Sequence, residues 1–156
     1  RAKRPGMRVL VLDLDAHQGN GNSSMMGDDP NTFIVSFHGS KNYPYKKIPS
    51  NIDVSLPPNT EDKMYLDLLA QTLGKISPLS FDLILYQAGV DPLEHDHLGT
   101  LNLSFEGLEK RDKMVFDLAK SFDVPISVAM GGGYSRPIDH TIQAVVNTYK
   151  TAKAVF

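Results

Sequence analysis

Asp13, Asp15 and His17 stand at i, i+2 and i+4 just after the run Arg8-Val9-Leu10-Val11-Leu12, and in extended chain such positions project to one side. A second run, Phe81-Asp82-Leu83-Ile84-Leu85-Tyr86, leads into Gln87-Ala88-Gly89-Val90-Asp91. Asp15, His17 and Asp91 make a set of three protein ligands that leaves a fourth position open for water or substrate, as a catalytic zinc site requires. Two carboxylates and an imidazole suit zinc or ferrous iron better than soft copper. Aspartates at strand ends also cap the turns that follow them, so the metal reading rests on three groups gathered at two strand ends.

Asp13 shares a face with Asp15 but lies one step deeper, where a carboxylate needs a cation or hydrogen-bond donors to stay ionised. Near Ser36 it would hold a histidine or a monovalent cation, or act as a plain structural acceptor. The run Gly131-Gly132-Gly133-Tyr134 fits neither a dinucleotide fingerprint nor a phosphate-binding loop. Three glycines instead let the backbone pass close to a ligand. They aim Tyr134, whose phenol could donate to a developing oxyanion or simply pack on its loop. His38, His95, His97 and His140 receive no role.

These residues need strands to carry them. The first two runs, together with 32–37 and 124–130, are apolar and rich in β-formers, the pattern of strands buried on both faces of a parallel sheet; 52–56 is a weaker fifth. Helical periods fill the gaps. Residues 61–76 carry a stripe of Tyr65, Leu68, Leu69, Leu73 and Ile76; residues 105–122 open behind Ser104 as N-cap; residues 137–155 start on proline. The alternation predicts an α/β fold, a three-layer open parallel sheet with helices on both faces. In such sheets the ligand site lies beyond the carboxyl ends of the strands, where the candidate residues fall. Residues 38–58, with Pro44, Pro49 and Pro57, read as a long polar loop, either a functional rim or a linker.

Composition narrows the chemistry further. The 156 residues, 41% hydrophobic and 22% charged, amount to one domain with enough apolar side chains for a core. A net charge of -2 offers no basic field to a nucleic acid. The absence of cysteine excludes thiolate nucleophiles and Cys-ligated metals. No apolar run reaches the ~20 residues of a membrane-spanning helix, and no signal-peptide core follows the basic start. The expected setting is intracellular, cytoplasmic or, in a eukaryote, nuclear, with no membrane partner.

Taken in order, Asp13-Leu14-Asp15-Ala16-His17-Gln18-Gly19-Asn20-Gly21, Ser36-Phe37-His38, Gln87-Ala88-Gly89-Val90-Asp91-Pro92-Leu93 with Asp96 and Leu98-Gly99, and Gly131-Gly132-Gly133-Tyr134 resemble the zinc-dependent histone deacetylase superfamily across nearly the whole chain. Leu101-Asn102-Leu103-Ser104, Gly107-Leu108 and Arg111-Asp112 are most similar to its class IV and bacterial branch. The resemblance implies an arginase-like sheet, with Asp15, His17 and Asp91 as zinc ligands and Tyr134 as the oxyanion donor. It also implies Gly132 and Gly133 beside the substrate, and Asp13 and Ser36 at a potassium site, where Asp13 further orients a catalytic histidine. The implied reaction is hydrolysis of an acyl group, acetyl-type, from a lysine-like amine on a peptide, a polyamine or a small molecule.

Two departures stand out. Asn20 replaces an Asp of other branches. The family's general acid/base, a tandem His-His pair upstream of the first ligand strand, occurs nowhere in these residues. Residues 1–156 are therefore expected to be the C-terminal portion of a longer catalytic domain, or else a metal-binding or partner-binding domain without catalysis. An aspartyl-nucleophile phosphatase also opens on a strand ending in Asp-x-Asp, but it would want Thr or Val where this chain has His17, and a later acidic pair that is absent.

Overall fold

The computed structural model describes residues 4–77 and 79–156. Five strands, β1 (Val9–Asp13), β2 (Thr32–Gly39), β3 (Ile52–Leu56), β4 (Leu83–Gln87) and β5 (Ile126–Ala129), form one sheet in the order β3-β2-β1-β4-β5, every neighbouring pair parallel. The helices are α1 (Asn20–Met26), α2 (Asp62–Ile76), α3 (Phe105–Phe122) and α4 (Asp139–Val155).

Central β1 is buried along its whole length, which is why it reads as continuous apolar sequence rather than as an alternation. Its two faces serve different clusters. Leu10 and Leu12 pack in the main core with Tyr65 and Leu69 of α2, Val115, Phe116 and Ala119 of α3, and Ala144 of α4. Val9 and Val11 pack with Ile34 and with Met26 of α1. Helices thus lie on both faces, as the alternation predicts. The Ser104 side chain accepts from the Gly107 N–H at 3.0 Å, starting α3 at the expected residue, and Asp123 closes it in the left-handed region at φ 53°. Among the described residues no helix is long and apolar enough to cross a membrane.

Two expectations need correction, and one element is absent from the sequence reading. The helix α1 carries no apolar stripe, begins on Asn-Gly-Asn and has no side-chain cap, so periodicity could not reveal it; it stands because Met26 docks on the far face of the sheet. The supposed loop 38–58 is shorter at its start, for β2 continues through buried His38 to Gly39, while the weaker fifth run 52–56 forms β3 as expected and pairs with residues 35–39. Regular strand also stops at Asp13, so Asp15 and His17 are not an extension of it. Instead the Asp15 N–H bonds Asp13 Oδ1 (3.2 Å) and the His17 N–H bonds Asp15 Oδ1 (2.9 Å), successive side chain-to-backbone turns that curl the chain over the strand end.

Leu12 is fully buried one residue before that curl. Leu12→Ala should lower the unfolding free energy by about 2–5 kcal/mol in urea titration, and a loss below about 1 kcal/mol would contradict the packing described.

Candidate metal centre

Strand order explains where the site must be. The chain goes from β1 to β2 and β3 on one side, then crosses over to place β4 and β5 on the other, so β1 and β4 flank the point where winding reverses and a crevice opens at their carboxyl ends. β1 leads into Asp15 and His17, and β4 leads into Asp91. The ligand atoms of these three side chains lie within 4.8 Å of one another. His17 Nδ1 stands 2.7 Å from Asp91 Oδ2 and 3.1 Å from Asp15 Oδ1.

Backbone amides hold the two carboxylates. The Ala16 N–H donates to Asp91 Oδ1 at 2.7 Å and the Gly132 N–H to Asp15 Oδ2 at 2.6 Å, stitching the loops after β1, β4 and β5 to one another. This closeness dictates glycine, most tightly at two places. A Cβ on Gly132 would run into the Asp91 carboxylate, and one on Gly89 would run into that of Asp15.

The electrostatics are those of crowded acid. Burial, reinforced by the charge of Asp15, pushes Asp13 up to about 8. Burial likewise pushes Asp91 up to about 7. Asp15 is also pushed up by burial, but hydrogen bonds from His17 and Gly132 outweigh it and hold the group below the usual carboxylate range. The hydrogen bonds to Asp15 and Asp91 raise His17 to about 10. A protonated His17 is the countercharge beside Asp15 and Asp91, and a divalent cation among two carboxylates and an imidazole would meet the same need with a suitable donor set. The residues present fit a zinc ion.

Other expected residues gather around this point. Tyr134 lies beside this group, its ring edge-to-face with His17 at 6.1 Å between centroids and 44% of its surface exposed. Burial and the nearby Asp91 and Asp15 charges raise its phenol, which keeps the proton a donor needs. Ser36 is paired in register with Asp13, and its Oγ sits 3.1 Å from His38 Nδ1. Asp13 receives the Asp15 N–H and, at 3.4 Å, the Asn22 amide. Gly133 follows Gly132 and is packed against Val90 and Thr141. His95 and His140 stay apart from the centre and pack against each other, ring centroids 4.1 Å apart, with Phe105 beside them.

Two residues left without a role by the sequence prove to shape the site. Asp96 accepts the Tyr134 N–H at 2.6 Å on one oxygen, and the Leu98 and Gly99 N–H groups at 2.8 and 2.7 Å on the other, so it fixes the backbone that carries the phenol. Its place between Asp91 and Gly99 was the available signal. Asn42 lies 3.5 Å from His17 Nε2, with its amide donating to Leu98 O and its oxygen accepting from Thr100. It comes from a loop whose sequence carries no mark of such a contact.

The family model of the histone deacetylase domain matches residues 1–149. The chain belongs to the histone deacetylase family. It is 35% identical over 150 residues to an uncharacterized protein of Picosynechococcus, covering 96% of this chain and 50% of that one. It is 34% identical to histone deacetylase 2 of Arabidopsis thaliana, covering 83% of this chain and 34% of the relative. The chain thus spans half or less of the length of these relatives. Among solved structures, the acetylpolyamine aminohydrolase of Burkholderia pseudomallei superposes with a TM-score of 0.79 at 19% identity, over 95% of this chain and 45% of that one. A histone deacetylase homologue from Aquifex aeolicus gives 0.76 at 21%, over 99% and 47%. The deacetylase-like fold expected from the sequence is the one observed.

Because a side chain at residue 132 would displace Asp91, Gly132→Ala should weaken zinc binding about tenfold or more while far-UV circular dichroism stays unchanged; an unaltered affinity in calorimetric titration would contradict the close approach.

Proposed function

We propose that this chain holds a zinc ion through Asp15, His17 and Asp91 and serves a hydrolase that removes acetyl-type acyl groups from lysine-like amines. The observation that carries the reading is the convergence of those three ligand atoms at the reversal point of the sheet, beside the phenol of Tyr134. Membership of a family whose matched relatives include histone deacetylases supports it. When bound, zinc would polarise the acyl carbonyl and lower the pKa of a water molecule toward ~7.

The chain's own groups do the rest. Tyr134 keeps its proton and donates to the carbonyl oxygen as negative charge grows there, a contact stronger in the transition state than in the ground state. Gly132 and Gly133 leave the wall beside the carbonyl free of side chains, so an extended acyl-amine can lie against backbone. Asp13 lies behind the ligands and, with Ser36, would accept potassium, easing the repulsion among the buried acids. A protein lysine, a polyamine and a small amine all present the same acylated primary amine to such a site.

A second reading has one observation in its favour. No adjacent histidine pair occurs in the sequence, and in the superfamily that pair moves the protons. On this reading the chain binds zinc and a partner without hydrolysis. Zinc content measured alongside hydrolysis of an acetyl-lysine peptide separates the two, since metal without turnover favours the second.

Under the hydrolase reading, Tyr134→Phe should retain one zinc per chain and lower turnover of the acetyl-lysine peptide by ~10²–10³, the usual cost of one oxyanion donor. Turnover equal to the wild type would remove Tyr134 from the reaction.

A further inference from the structure

Arg111 projects from α3 into the core and has no exposed surface. Burying a guanidinium is expensive unless its hydrogen bonds are met, and here the bonds of Nη1 converge on one place. Its Nη1 donates to the carbonyl of Gly89 at 2.6 Å and lies 3.4 Å from that of Leu14. Leu14 immediately precedes Asp15, and Gly89 stands two residues before Asp91. One cation therefore ties down the backbone of both segments that present the ligand set.

The location matters because the sheet has ended there. The β1–β4 ladder runs to Asp13 and Gln87, with a last bond from the Leu14 N–H to Gln87 O at 3.1 Å. Past that point the two chains are free of ladder bonds, and the guanidinium bridges them from below.

Asp112 holds the guanidinium in turn. Its Oδ1 accepts Arg111 Nε at 2.9 Å and the buried Tyr86 hydroxyl at 2.5 Å, and its Oδ2 accepts the Thr148 hydroxyl at 2.6 Å. Arg111 Nη2 lies 2.8 Å from the same Oδ1 without forming a hydrogen bond. The network joins α3, β4 and α4 to the two strand tips, and it is polar where leucine and methionine would satisfy packing alone.

We propose that Arg111, oriented by Asp112, is a positioning residue that sets the spacing between the Asp15–His17 segment and Asp91 and so tunes the metal centre. This rests on the reading that Asp15, His17 and Asp91 hold the ion. Lysine keeps the charge but lacks the planar fork that reaches both partners and Asp112 at once.

The test uses Co²⁺ as a spectroscopic probe and Zn²⁺ in competition titrations, with the whole chain in wild-type, Arg111→Lys, Thr148→Val and Val115→Ala forms. Val115 is buried on the same helix but touches neither strand tip through a hydrogen bond, so Val115→Ala reports loss of stability alone. Arg111→Lys should weaken Zn²⁺ binding about 10–100-fold and shift the visible Co²⁺ bands. Thr148→Val, which leaves Arg111 in place and is the milder change, should shift the bands in the same sense by less. Val115→Ala should lower the melting temperature with affinity and bands unchanged. Wild-type affinity and bands in Arg111→Lys would overturn the proposal, as would equal weakening in Val115→Ala. If Arg111→Lys does not fold, unshifted bands in Thr148→Val overturn it alone. Failure of the wild-type chain to bind Co²⁺ or Zn²⁺ would instead strike the metal reading itself.

Discussion

Like charges resist being buried together, and this fold buries three carboxyl groups within a few residues of the same strand ends. Asp13 and Asp91 are driven upward by burial and Asp15 is kept ionised by its donors. No arrangement of apolar packing relieves such repulsion; uptake of a proton, positive charge or donated hydrogen bonds do. In the structure His17 supplies the charge, and the Ala16 and Gly132 amides supply the bonds. That concentration of acid constrains the molecule to bring donors from the ends of β1 and β5 to acids that follow β1 and β4.

The topology follows from that need. The reversal of winding between β1 and β4 leaves a gap that no crossover fills, and the parallel direction of all five strands brings every carboxyl end to the same rim. β5 then leads into the glycine run, in which Gly132 leaves no room for a Cβ against the Asp91 carboxylate. Asp96 extends the same logic outward, trading three backbone donors for a fixed Tyr134. Each loop is shaped by what it must bond to rather than by its own preference.

Much of this is readable from residue types. Helix α3 declares itself through Ser104 and a sustained apolar stripe, and β1 through an unbroken apolar run, because local chemistry and burial agree there. The candidate set Asp15, His17 and Asp91 is readable because each member lies two to four residues past the end of β1 or β4. The short α1 is not, since a polar Asn-Gly-Asn start gives no period and its one anchor, Met26, depends on a sheet face assembled from distant strands. The loop contact of Asn42 with His17 and the reach of Arg111 beneath Leu14 and Gly89 are likewise long-range, set by packing of elements far apart in sequence. For the same reason the curl at Asp13–His17 differs from the extended chain expected: its bonds are local, but its stop is imposed by Asp91 and Gly132.

Crystals of the chain grown with zinc, measured on both sides of the zinc absorption edge, test the central claim most directly. The account expects one strong anomalous peak bounded by Asp15, His17 Nδ1 and Asp91, with ligand distances of about 2.0–2.2 Å. A peak elsewhere, for instance between His95 and His140, or no peak while the three side chains keep their present hydrogen bonds, would contradict it.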